Sequence, residues 1–538
     1  MVITKCGVGS LVCGLVASIL LSSCDNGASS KKASLTGEHT VPKVASCASD
    51  DHPEPALQGQ VPAAVRASGF GGYNCNLAPE GQYAGEGGGV GFASFNDDHG
   101  HYCAYYSSPI GTGTGTSVVD MTDPAKPVLM TTLKTPAMLN PGEAMRVNAR
   151  RQLLVTAQAG GIGKMGGPGV DVYDISADCR DPKLLASTDV GTGTDGGVVA
   201  PIPVKGHDSN FSPDGLTFYI GDPYGKAYSV VDMTDPTKPK LIAQMDMSKA
   251  PLNGEWMNGG PHGISLSDDG NRAYITSVGF PKAAELSDPN AKVSEGFYVV
   301  DTSEVQARKP DPQMKVISYL TFKDGSTAMH TLSVKIGGKP YLIHVNEGGG
   351  GGMQGSPVPG GGTLQDACNA GLTPFPMARI VDISDETKPK LVSDLMLEIH
   401  DVKNCDKVLP DVVGGAIISY GSHICSVDNR ENATALACAY MQSGMRVFDI
   451  RNPAAPKEIA YFNPQPVVAA KSSSQAAPGA NVIDSGAVNA CGSPAGFDFE
   501  RKLLTTMCTR SGALVLKFEN GVWPFPESTP APGGVSYN

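Results

Sequence analysis

The chain has 538 residues, a net charge of −12, only 17% charged and 6% aromatic residues, and 66 Gly with 41 Pro. Surplus acid argues against a non-specific nucleic-acid binder, because phosphate backbones need clustered Lys and Arg. Lys and Glu are too sparse for a coiled coil. About one residue in five is Gly or Pro, which predicts a loop-rich, β-rich globular protein rather than a disordered one.

The chain opens with Lys5, a long apolar run and small residues leading to Cys24. This is the layout of a secretory signal. Its end, Leu21-Ser22-Ser23-Cys24, resembles the bacterial lipobox. That resemblance implies a signal peptide over residues 1–23, acylation of Cys24, and a membrane partner reached through the lipid. The expected location is the cell envelope, at the periplasm or cell surface. Residues 24–60 are rich in Ser, Lys, Ala and Pro and predict a flexible tether. Ten cysteines remain beyond Cys24. An even count in an exported chain suggests disulfides, and no CxxC pair suggests a zinc or thioredoxin motif.

One phrase then recurs. Ser117-Val-Val-Asp120-Met-Thr-Asp-Pro124 precedes Lys-Pro-Val-Leu, and Tyr228-Ser-Val-Val-Asp232-Met-Thr-Asp-Pro236 precedes Lys-Pro-Lys-Leu-Ile. Related copies end at Asp174, Asp301, Asp382 and Asp449, and in a seventh Lys517 takes the Asp position. Each copy reads as a β-branched strand, an Asp-rich turn and a returning strand. Upstream hairpins such as Phe211-Ser-Pro-Asp-Gly215 supply the first two strands of most units. Seven four-stranded units predict an all-β, seven-bladed β-propeller over residues 61–525, with a tail at 526–538. A pair of β-sandwiches, the competing fold, does not predict a sevenfold phrase. The last unit lacks a fourth strand, so a segment from residues 61–95 is expected to close the ring. The same register makes Cys425 and Cys438 neighbours across one hairpin.

The phrase resembles the LVIVD repeat of bacterial and archaeal surface proteins, which implies a propeller and little about activity. A single turn motif also resembles the selenium-binding protein and methanethiol oxidase family.

Aligning the first hairpin of each unit places His207, His262, His330 and His423 at one position, with Glu143 there in the second unit. In a propeller, this position lies near one mouth of the central channel. Imidazoles converging there suit iron, copper or zinc, with Glu143 as second shell, base or fifth ligand. A metal-free polar pocket and purely structural hydrogen bonding remain open readings of the same register. His344, Glu347, His400 and Asp401 are expected to rim the pocket. Two functions follow: a metal-dependent oxidoreductase acting on a small organic substrate, or a scaffold propeller presenting loops to a protein partner. No phosphate-binding loop, nucleophile elbow or HExxH motif is present.

Overall fold

The computed structural model describes residues 41–531 apart from 160–168, 189–191, 194–204, 224–226, 248–259, 279–294, 323, 325, 349–363, 413–417 and 470–486. The signal peptide and lipidation site expected within residues 1–40 lie outside the described residues.

Seven antiparallel sheets form a β-propeller. Blade 1 comprises Phe92–Asn96, Tyr102–Ser107, Thr116–Asp120 and Val128–Leu133. Blade 2 is built on Arg146–Asn148, Leu153–Ala157, Val170–Asp174 and Lys183–Ser187, and blade 3 on Asp208–Phe211, Thr217–Asp222, Ala227–Asp232 and Lys240–Asp246. Blade 4 uses Pro261–Leu266, Arg272–Ser277, Gly296–Asp301 and Lys315–Thr321; blade 5 uses Thr327–Ile336, Lys339–Gly348, Ala378–Asp382 and Lys390–Leu395. Blade 6 runs from Cys425–Val427 through Ala435–Ala439 and Met445–Asp449 to Lys457–Asn463. Blade 7 takes Gly496–Asp498, Leu503–Cys508 and Gly512–Phe518 from the C-terminal side. Its fourth strand is Leu77–Tyr83, paired from Leu77↔Phe518 to Tyr83↔Ala513. The N-terminal segment therefore covers the edge that the last unit would leave open.

The repeated phrase has a local cause. Each marker Asp ends the third strand of its blade, and its Oδ1 accepts the amide N–H two residues on. Thr122, Ser176, Thr234, Ser303, Ser384 and Arg451 donate over 2.8–3.1 Å. These are Asx turns, which reverse the chain into the fourth strand. In each of blades 1–6 the register shifts once between the third and fourth strands, as at Val118/Val119 and Val230/Val231. Such irregularities deepen the twist that radial packing requires.

The core lies between blades as well as within them. Tyr219 and Val230 of blade 3, for example, pack with Ile264, Ile275 and Tyr298 of blade 4. All ten cysteines beyond Cys24 are paired, as Cys47–Cys75, Cys103–Cys179, Cys368–Cys405, Cys425–Cys438 and Cys491–Cys508. Cys425 and Cys438 sit opposite one another in the blade 6 ladder. Five disulfides mark the chain as an exported protein. Among the described residues no helix is long and apolar enough to cross a membrane.

Two predicted boundaries move. Residues 41–60, expected within the tether, are strapped across blade 6. Arg446, fully buried, pairs with both Glu54 of the strap and Glu458 of the blade, the latter over 2.8 Å. Gln58 Nε2 donates to Glu458 at 2.9 Å, and Tyr73–Cys75 adds a fifth strand against Lys457–Asn463. A buried guanidinium and carboxylate need partners, and the strap supplies them. The predicted C-terminal tail is likewise docked at its start. The Ser528 hydroxyl lies 2.6 Å from that of Thr434, and Asn429 Nδ2 donates to the Pro530 carbonyl.

Candidate metal centre

The first strands of blades 3, 4 and 6 are fully buried, and that of blade 5 is buried except at Lys335. Glu143 enters blade 2, His207 blade 3, His262 blade 4, His330 blade 5 and His423 blade 6. All five are buried, between 1% and 5% exposed.

Four of the five, joined by Glu347, bring their polar atoms together. Glu143 Oε1 lies 2.9 Å from His423 Nε2. Glu143 Oε2 lies 3.6 Å from Nε2 of both His207 and His262. Glu347 Oε1 is 3.6 Å from His262 Nε2, and its Oε2 is 3.5 Å from His423 Nε2. The His207 and His262 rings meet edge to face with centroids 4.4 Å apart. These donors could hold a metal ion, in two groups: Glu143, His207 and His262, and Glu143, Glu347 and His423.

Supporting contacts fix the frame. Arg146, buried beside Glu143, donates to the Glu143 carbonyl at 2.6 Å and pairs with Asp208, the residue after His207. The Glu143 N–H donates to the His207 carbonyl at 3.1 Å. Gly263 lets blades 4 and 5 close up: a side chain there would meet His330 Cβ at 2.4 Å and Asp208 Oδ2 at 2.6 Å. Sequence reading missed Arg146 and Asp208, which carry no repeat signal.

The electrostatics fit a cation. His423 Nδ1 faces the Gly492 carbonyl at 2.5 Å, and a carbonyl can only accept, so Nδ1 carries hydrogen. Nε2 then confronts a carboxylate, which requires a proton or a metal between them. Burial alone would lower the His423 pKa, but Glu143 and Glu347 raise it to about 10. Burial likewise opposes ionisation of Glu143, yet the facing His423 and His207 hold it well below the usual carboxylate range. Burial, with His207 adding to it, lowers His262 to about 4. Among the described residues the neutral His262 has no hydrogen-bond partner at either ring nitrogen. A buried imidazole left this way, between two carboxylates, suits a metal ligand.

The other expected positions fall differently. His330 keeps the register, but its Nε2 accepts the Cys425 N–H of the next blade at 3.1 Å. Burial drives its pKa well down. The blade 5 ladder shifts register around Ala328 and His330, which re-aims this position. Glu347, expected at the rim, reaches the cluster because the second strand of blade 5 runs ten residues, Lys339–Gly348. His344 is not at the rim. It is fully buried against Phe297 and Phe322, with Nε2 3.4 Å from Glu295. His400 is also buried, stacked on Tyr440, and its Nδ1 accepts the Leu397 N–H at 2.8 Å. Asp401 accepts the Lys403 N–H and pairs with the Lys403 ammonium. Chain reversal before blade 6 uses these last two residues for packing and turning, so they do not line the cluster.

A family model described as the LVIVD repeat matches residues 379–396, the third and fourth strands of blade 5. No curated protein matches the chain. Among solved structures, the periplasmic gluconolactonase of Pseudomonas aeruginosa is similar at 11% identity, covering 75% of this chain and 95% of that one, with a TM-score of 0.43. A functionally unknown protein from Desulfotomaculum acetoxidans gives 11%, 69%, 84% and 0.40. Kuenenia stuttgartiensis hydrazine synthase gives 12%, 68%, 78% and 0.39. At these scores the likenesses carry no argument about chemistry. The chain is thus a seven-bladed β-propeller that carries the LVIVD repeat.

Proposed function

We propose that the axial cluster is a transition-metal centre, and that the protein is a metal-dependent oxidoreductase of the bacterial cell envelope, lipid-anchored at Cys24 and acting on a small organic substrate. One observation carries the metal reading. His262 is a buried, neutral imidazole without a hydrogen bond among the described residues, its Nε2 3.6 Å from an oxygen of Glu143 and 3.6 Å from an oxygen of Glu347.

His207, His262 and His423 would hold the ion together with Glu143 and Glu347. Mixed imidazole and carboxylate donors suit iron, copper or zinc. Iron or copper supplies one-electron redox chemistry when bound, which is why oxidation is the reaction preferred. The protein's own residues do the rest. Gly492 orients His423 through Nδ1, and Arg146 anchors the backbone of Glu143. Glu143, whose two oxygens face His423 on one side and His207 and His262 on the other, serves as a ligand rather than as a base. The surrounding blades exclude bulk water.

A scaffold without chemistry is favoured by one observation: His330, in the same register, spends its Nε2 on a backbone N–H of the neighbouring blade. Elemental analysis of protein purified without a His tag separates the two readings. A stoichiometric redox metal, with metal-dependent reduction of an electron acceptor by small alcohols, thiols or aldehydes, supports the enzyme. Protein that stays metal-free after incubation with iron, copper and zinc salts supports the scaffold.

A further inference from the structure

We infer that the axial cluster is built for two divalent ions bridged by Glu143 and Glu347, rather than for one. This rests on the metal reading above and deepens it. The donors divide into two groups that share Glu143. Each carboxylate addresses the two groups with different oxygens. Glu143 turns Oε2 to His207 and His262 and Oε1 to His423. Glu347 turns Oε1 to His262 and Oε2 to His423.

Two ligands of one ion bound at ~2.0–2.2 Å can lie at most about 4.4 Å apart. The ligand atoms within each group lie within 4.8 Å of one another, and among the described residues no such group joins His423 to His207 and His262. Here a carboxylate stands between His423 and the His207–His262 pair, on both of the paths that Glu143 and Glu347 define. Two ions about 3.5–4 Å apart, each taking one oxygen from each carboxylate, fit this pattern. The first ion takes His207 and His262, and the second takes His423.

Charge then narrows the substrate class. Two carboxylates and three neutral imidazoles carry two negative charges, while two divalent ions carry four positive ones. The remaining positive charge, buried at the axis, calls for an anionic oxygen ligand. Hydroxide between the ions or the oxyanion of a substrate supplies it, so the centre is suited to small carboxylates, alkoxides or phosphoesters over neutral amines.

The test uses the full chain stripped of metal and titrated with Mn²⁺ alone. Two equivalents bound, with the paramagnetic signal of isolated Mn²⁺ lost at the second equivalent through coupling of the pair, is the expected result. His207→Ala and His423→Ala should each bind one equivalent and show the uncoupled signal. A single equivalent in the wild-type chain, abolished by either substitution, overturns the two-ion centre and leaves the one-ion reading standing. No binding of Mn²⁺, Fe²⁺, Cu²⁺ or Zn²⁺ at all overturns both. Should the variants fail to fold, anomalous diffraction from Mn²⁺-loaded wild-type crystals decides: two peaks support the proposal and one peak overturns it.

Discussion

Glu143 Oε1 lies 2.9 Å from His423 Nε2, although one residue enters blade 2 and the other enters blade 6. The two approach the axis from different sectors of the ring. Any change in blade count or ring closure would separate them. The candidate site is therefore a property of the closed propeller, and the Leu77–Tyr83 strand that closes blade 7 is a condition for it.

Replacing His262 with Ala should remove the imidazole that both carboxylates face. Metal affinity should fall by at least the roughly 10–100-fold seen when an outer-shell partner of a metal ligand is lost. Blade packing does not depend on this ring, so far-ultraviolet circular dichroism should stay unchanged. Elemental analysis of variant and wild type prepared in parallel checks this. Equal metal content in the two would remove His262 from the site.

His330→Ala should behave in the opposite way. Its Nε2 satisfies the Cys425 N–H, so its loss leaves a buried donor without a partner. That costs about 1–3 kcal/mol, while metal content should hold. Denaturation curves and metal content measured on one preparation separate the two effects. A variant that is stable but metal-free would restore His330 as a ligand.

The strap gives a stability prediction. Arg446 is shared by Glu54 and Glu458, and all three are at most 5% exposed. Arg446→Met would leave two buried carboxylates without their cation, at a cost of roughly 3–5 kcal/mol. Limited proteolysis should then cut within residues 41–60 before any blade is cleaved. Simultaneous loss of strap and blades would mean that the strap is not a separate cooperative layer.

A pH prediction follows from Glu295, buried beside His344. Burial pushes its carboxyl up to about 7, against the opposing pull of Arg379 and the Asn346 hydrogen bond. The folded state thus holds a proton that the unfolded chain releases near 4.5. This contribution is complete below pH ~4.5 and is lost as pH rises through about 7, by up to about 1.4 kcal/mol per pH unit. Glu295→Gln mimics the protonated form at every pH. The melting temperature of wild type relative to this variant should therefore fall between about pH 5 and pH 8. A constant difference across that range would show that Glu295 keeps an ordinary carboxyl pKa.

The sequence alone determined the blade count, because in six of the seven units the marker Asp closes an Asx turn through bonds spanning only two residues, a cause visible locally. It also determined which residues enter the first strands, and that Cys425 faces Cys438, because strand register follows from turn positions. Tertiary structure alone decided which ring nitrogen of each His faces the axis. His423 is oriented by the carbonyl of Gly492 and His330 is diverted by the N–H of Cys425, partners 69 and 95 residues away. Register fixes where a Cα lies, whereas the rotamer follows the hydrogen bond that a neighbouring blade offers. The same reason hid the strap, whose Glu54 answers a buried charge on Arg446 that no local pattern reveals. It equally explains why Glu347 reaches the cluster on an overlong strand while His344, three residues earlier, is folded away against Phe322 and Glu295.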